Sequence, residues 1–126
     1  RVFSYLYLVR NTFTKAERLK SKTLFQELFE TGQRVKKFPV QLVFIPVPRA
    51  THHQAAFAVP KRNFKSAVAR NRIKRQLREA YRLHKNMCLS ENGPKFALLF
   101  IYIHKKPMPY DALSSSMAAL LKSVST

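Results

Sequence analysis

Acidic residues, cysteine and glycine are all scarce in this sequence, and each shortage narrows what the chain can be. The single cysteine, Cys88, cannot form an internal disulfide and builds no zinc site without three other ligands, which points to a reducing compartment, the cytoplasm. Two glycines in 126 residues, beside 10 Phe, 5 Tyr and many Leu, Ile and Val, argue for a packed fold and against disorder. The longest apolar runs, Val40 to Val47 and Phe96 to Ile103, fall far short of the ~20 residues of a membrane-spanning helix. Only 6 Asp and Glu stand against 24 Lys and Arg, a formal net charge of +18 at a sequence pI near 10.8, far beyond what solubility requires. A polyanionic partner is implied.

A hydrophobic content of 46% over this length supports one domain with a single core. Val2 to Val9 resembles the apolar part of a signal peptide, but Arg10 closes it and no small-residue cleavage pattern follows. Residues 1–12 therefore read as an N-terminal tail and 13–126 as the domain. The sequence begins at Arg1 and not at Met, which leaves room for residues upstream.

Thr23 and Gln26 have the spacing of a capping box, Leu24, Phe25, Leu28 and Phe29 recur at helical spacing, and Gly32 is placed to end the helix in the left-handed conformation. A helix over 22–31 is predicted. Val40 to Val47 and Ala55 to Val59 are rich in β-branched and aromatic residues and flank a loop-like stretch with Pro48, Thr51, His52 and His53, so they read as neighbouring strands. Pro46 has no N–H to give to a ladder and puts the first of them at an edge, at least there; another short strand fits before Pro39. Phe96 to Ile103, continuously apolar between Pro94 and Pro107, suits a strand covered on both faces. Leu113, Met117, Leu120, Leu121 and Val124 mark a terminal helix.

Ser66 to Lys85 contains neither Pro nor Gly. At 100° per residue, Ala69, Ile73, Leu77, Ala80 and His84 form one stripe, and Asn71, Arg75, Arg78 and Arg82 the opposite one. The element order is helix, two or three strands, helix, strand, helix: an α+β sandwich with helices against one mixed sheet.

Residues 61–85 hold ten Lys or Arg against one acid, Glu79. Like charges at four-residue spacing destabilise a helix by a few tenths of a kcal/mol each, so a face of this kind needs a compensating partner. Phosphates suit it, because Arg contacts their oxygens bidentately. A solvated basic face is the plainer reading; the total charge and the asparagine set among arginines weigh against it. DNA and RNA are not separated by charge, but no helix-turn-helix, zinc finger or zipper is present to set a DNA register, which favours RNA.

A protein-borne nuclease site would draw on His52, His53, His84, His104 and the few carboxylates. His84 lies on the apolar stripe, where a satisfied core histidine is the commoner case; His52 and His53 are adjacent in a loop; no carboxylate cluster for magnesium is evident. A membrane-surface helix is disfavoured by the Ala-rich apolar stripe, which suits a sheet better. A structural RNA-binding protein of ribosomal type remains the alternative.

The run Val59-Pro60-Lys61-Arg62-Asn63, then Ala67 to Arg82 with Arg70-Asn71-Arg72-Ile73-Lys74-Arg75 and Arg78-Glu79, closely resembles the signature helix of the bacterial ribonuclease P protein family. Phe13 to Leu19, Phe25 to Phe29 and Gly32 are similar to its N-terminal Arg-Leu, Phe-x-x-x-Phe and Gly pattern, and the strand before Lys105-Lys106-Pro107 with the closing helix to its C-terminal third. The resemblance covers about residues 13 to 122. Departures are Ala56 where many members have Gly, Pro60 for a small polar residue, the longer spacing through Lys65-Ser66, and no clear match to a strand aromatic, for which Val43 or Phe44 are candidates.

The resemblance implies a two-layer α/β sandwich in the order α-β-β-β-α-β-α, with a mixed four-stranded sheet and a left-handed βαβ crossover, a hand that runs against the ~98% preference. It implies a subunit of an endoribonuclease whose catalyst is an RNA, with Mg2+ bound mainly by that RNA and no catalytic residues in the protein. The partners implied are the ribonuclease P RNA subunit and precursor tRNA, met by a monomeric protein with no membrane association. Carried over by motif, Arg70, Asn71, Arg72, Lys74, Arg75, Arg78 and Arg82 would contact the RNA subunit. Phe25, Phe29, Lys61, Arg62, Lys65 and Arg18 would border a cleft for the 5′ leader of the precursor.

Overall fold

Strand-forming residues follow Gly32 and apolar stripes at helical spacing flank them, and a computed structural model, describing residues 17–48, 50, 52–88 and 95–125, shows the elements that result. They are α1 (Lys22–Thr31), β1 (Gln33–Lys37), β2 (Val40–Pro46), β3 (Gln54–Ala58), α2 (Ala67–Cys88), β4 (Phe96–Tyr102) and α3 (Tyr110–Ser125). The tail proposed for residues 1–12 lies outside the described residues. Among the described residues no helix is long and apolar enough to cross a membrane.

The sheet runs β1-β2-β4-β3, with β1/β2 and β2/β4 antiparallel and β3/β4 parallel. The expected adjacency of β2 and β3 is therefore corrected: β4 lies between them. Ala97, Leu98, Leu99 and Phe100 are all buried, and a strand buries consecutive side chains only when both sheet faces are covered, which the centre of the sheet provides. Pro46 has the edge character expected of it although β2 as a whole is interior. The β1 ladder stops at Phe44, so at Pro46 only β4 is alongside.

Two details of α1 differ from expectation. Its N-cap is Ser21 and not Thr23: Ser21 is extended (φ −68°, ψ 123°) and its Oγ accepts from the Leu24 N–H at 3.3 Å, while Thr23 already lies inside the helix. Gly32 is also extended (φ −65°, ψ 144°) and not left-handed. What requires glycine there is proximity, since a Cβ would stand 2.4 Å from the Leu28 carbonyl oxygen and 2.7 Å from Val43 Cγ1. Gly32→Ala should thus cost ~1–3 kcal/mol through overpacking between α1 and β2, read as a lowered urea midpoint at unchanged slope.

The sheet's two faces are covered unequally. On one, Val40, Leu42 and Phe44 of β2 with Leu98, Phe100 and Tyr102 of β4 pack against Ile73, Leu77, Ala80 and Tyr81 of α2 and Leu113, Met117, Leu120, Leu121 and Val124 of α3. This is the main two-layer sandwich. On the other, Val43, Ile45, Ala97 and Leu99 meet Leu19 and Leu28, with Leu24 and Phe25 alongside. The short α1 covers only part of that face. The segment before it follows the outer edge of β3, where Arg18 bridges Ala55 and the Leu19 N–H donates to the Ala55 carbonyl at 3.0 Å.

Candidate nucleic-acid interface

The cationic stripe of α2 divides into side chains free for a partner and side chains already engaged. Asn71, Arg72, Arg75 and Arg78 are exposed together along one arc, with Lys74 half-buried at its margin. Arg70 is turned inward, its Nη1 donating to the carbonyls of Phe64 at 2.8 Å and Lys65 at 3.0 Å. Arg82 pairs with Glu79, whose carboxyl its guanidinium holds below the usual range by hydrogen bonding. Lys85 is buried, 7% exposed, against Glu17 of the segment along β3, so it belongs to the frame of the molecule.

Arg70 also fixes the approach to α2. The N–H groups of Asn63 and Phe64 donate to the Pro60 carbonyl at 3.1 and 3.3 Å, Phe64 is buried beside Tyr102, and Ser66 Oγ accepts from the Ala69 N–H at 3.3 Å. This tight turn leaves Lys61, Arg62 and Lys65 exposed just before the positive end of the helix dipole. Helices ordinarily place acids there; the first turn of α2 has none, and the combined field is suited to anions.

The uncovered part of the second sheet face forms a trough. Strand registers align Arg34, Val43, Leu99 and Ala56 in one row and Lys36, Gln41, Ile101 and Ala58 in the next. In the first row Val43 and Leu99 are buried beneath α1; in the second Lys36 is exposed and Gln41, Ile101 and Ala58 are half-open. Two residues past Ile101, Ile103 lines a depression with Arg62, Asn63 and Lys105. Phe25 is half-buried against the second core, whereas Phe29 is 59% exposed. Of the two strand candidates for a cleft aromatic, Phe44 faces α2 and α3 and Val43 is fully buried, so neither presents a ring to the trough.

The structure brings Phe25 and Phe29 together on α1, and Lys61, Arg62 and Lys65 together before α2. Arg18 is exposed but stands at the Ala55 end of β3, while Lys61 and Arg62 follow its Ala58 end. Arg34 and Lys36 were not singled out from the sequence. The alternation in Gln33-Arg34-Val35-Lys36-Lys37 puts them on one face, but only the pairing with Gln41 and Val43 shows that this face is the trough. No Asp or Glu occurs between Glu30 and Glu79 or between Glu91 and Asp111, so all four strands and the 59–66 turn are free of carboxylates.

The histidines do not converge. His84 Nε2 lies 2.7 Å from Ser114 Oγ, His53 Nδ1 accepts from the Phe96 N–H at 3.1 Å, and His104 meets Phe38. Among the described residues no three His, Cys, Asp or Glu side chains come together.

This topology is matched in known proteins. The family model for ribonuclease P matches residues 13–125. The chain belongs to that family. Over 74 residues it is 40% identical to the ribonuclease P protein component of Petrotoga mobilis, covering 59% of this chain and 61% of the relative, so it spans about three fifths of that relative's length. Over 94 residues it is 31% identical to the ribonuclease P protein component of Vibrio cholerae, covering 75% and 73%. The fold matches the RNase P protein of Staphylococcus aureus with a TM-score of 0.72 at 25% identity, covering 87% of this chain and 96% of that one. It matches the RNase P protein from Thermotoga maritima with a TM-score of 0.71 at 20% identity, covering 85% and 96%. The mixed four-stranded sheet with three helices is thus the ribonuclease P protein fold.

Proposed function

We propose that this chain is the protein subunit of ribonuclease P, working in the cytoplasm with an RNA subunit that removes the 5′ leader from precursor tRNA. The observation that carries this reading is the exposed arc of Asn71, Arg72, Arg75 and Arg78 on an acid-poor helix in a member of the ribonuclease P family.

In this account the arc docks on phosphates of the RNA subunit, with Lys74 at its margin. Arg70 acts from beneath, holding the 64–65 backbone so that Lys61, Arg62 and Lys65 keep their place at the trough. Arg82, neutralised by Glu79, contributes less than its position suggests. The trough takes the single-stranded leader: Lys36 and the turn cations face its phosphates, Phe29 stacks on a base, and Phe25 supports Phe29 from the core. Arg18 adds positive charge at the far end of β3. The chain transfers no proton and holds no metal; magnesium remains with the RNA. Its contribution is affinity, since two polyanions meet across a body of charge +18.

Phosphate docking has a salt signature. If six to ten phosphates are neutralised, affinity for a ribonuclease P RNA should fall by about 10³- to 10⁵-fold between about 50 and 200 mM monovalent salt. A salt-independent affinity would sink the arc as a phosphate-binding surface. The alternative, a structural RNA-binding protein without a role in processing, predicts preference for ribosomal RNA over ribonuclease P RNA in the same titration.

A further inference from the structure

At the β1–β2 turn, beyond the open end of the trough, Phe38 is 56% exposed although its backbone is held firmly. Ser116 Oγ donates to the Phe38 carbonyl at 2.8 Å, and the Ile103 N–H donates to the Pro39 carbonyl at 2.9 Å. Its ring meets His104 edge-to-face at a centroid distance of 4.9 Å and an interplanar angle of 62°. The His104 loop is fixed in turn by Tyr102, whose hydroxyl donates to the Lys106 carbonyl at 2.6 Å. Lys36, Lys37, Lys105 and Lys106, next to this ring pair in the chain, are exposed, and no carboxylate occurs in the strands or turns that carry it.

Packing does not explain the Phe38 ring, since an exposed aromatic clamped on a turn forgoes the burial that ordinarily stabilises it, whereas His104 is half-buried, its ring centroid 6.5 Å from that of the buried Tyr102. Neither Phe38 nor His104 belongs to the cationic arc of α2, nor to the aromatic pair of α1. His104 lies between Ile103 and Lys105, which line the depression with Arg62 and Asn63. An exposed ring among cations suits bases that are not paired: a duplex offers phosphates to the lysines but hides its base faces from Phe38.

We infer that Phe38 and His104, with Lys36, Lys37, Lys105 and Lys106 next to them in the chain, form a second base-stacking platform for single-stranded RNA at the end of the sheet. The inference rests on the reading that the trough takes single-stranded RNA. From Phe29 a strand entering the trough crosses β1, five residues at ~3.3 Å each, before it reaches Phe38. The platform would therefore be used by longer leaders and not by the shortest ones.

The chain contains no tryptophan, so Phe38→Trp in the full chain introduces a lone fluorophore at the platform. Its emission should be quenched by a single-stranded oligoadenylate and not by a base-paired duplex of equal length. Binding is followed independently by the anisotropy of a label on the RNA. Phe38→Ala should weaken oligoadenylate binding by about 5- to 150-fold, the loss of one stacked base, with the circular dichroism spectrum unchanged. Unchanged emission at saturating oligoadenylate, equal quenching by the duplex, or parental affinity in Phe38→Ala would each overturn the platform. If Phe38→Trp still stimulates precursor tRNA cleavage by a ribonuclease P RNA while its emission ignores the oligomer, the platform falls and the subunit reading stands.

Discussion

Replacing Arg72 and Arg75 together with alanine should lower affinity for a ribonuclease P RNA by about 10²- to 10⁴-fold at fixed, near-physiological salt. Both guanidinium groups are exposed on the outer arc of α2, so their removal leaves the core intact. Charge-assisted hydrogen bonds contribute ~1.5–3 kcal/mol each, and two such contacts give the stated range. Arg82→Ala is the internal control. That side chain is held by Glu79, so its loss should cost much less than either arginine of the arc. Equilibrium binding with thermal unfolding run in parallel separates lost contacts from lost structure, and parental affinity in the double variant would remove α2 from the interface.

Phe29→Ala should weaken binding of a leader-bearing precursor tRNA by the assembled enzyme by about 5- to 150-fold, and leave binding of mature tRNA unchanged. The range is that of one base stacked on one ring, ~1–3 kcal/mol. Being 59% exposed, Phe29 can be truncated with little effect on stability. Phe25→Ala should differ, because that ring packs against the second core with Leu28, Val43 and Leu99 and its loss opens a cavity there. A pair in which Phe29→Ala loses leader affinity at parental stability, while Phe25→Ala loses both, is the expected pattern. Equal leader affinity in Phe29→Ala and the parent would show that the ring at this position does not meet the leader.

The different roles of Phe25 and Phe29 show where sequence reasoning stops. Helical spacing places both rings on one side of α1, but only the distance to Val43 and Leu99 decides which is engaged. The arginines of α2 present the same case. Periodicity separates Asn71, Arg75 and Arg78 from Ile73 and Leu77, because the stripe depends on local geometry alone. That Arg70 holds the Phe64 and Lys65 carbonyls depends on the turn at Pro60, which no pattern along the chain encodes. Strand order was hidden for a related reason. The apolar runs of β2 and β3 are close in sequence, yet β4 is the strand whose burial on both faces demands the centre of the sheet. Gly32 was legible as a helix end but not as a contact, since its constraint comes from Val43 of another element.

The role assigned to the chain is to let an RNA catalyst hold a precursor tRNA at low magnesium, and cleavage tests it most directly. A bacterial ribonuclease P RNA and a 5′-extended precursor tRNA are incubated at a magnesium concentration too low for the RNA alone, with and without this protein. The account predicts cleavage at the mature 5′ end that requires both RNA and protein. Cleavage by the protein without the RNA, or no stimulation of ribonuclease P RNAs of either bacterial architecture, would contradict it.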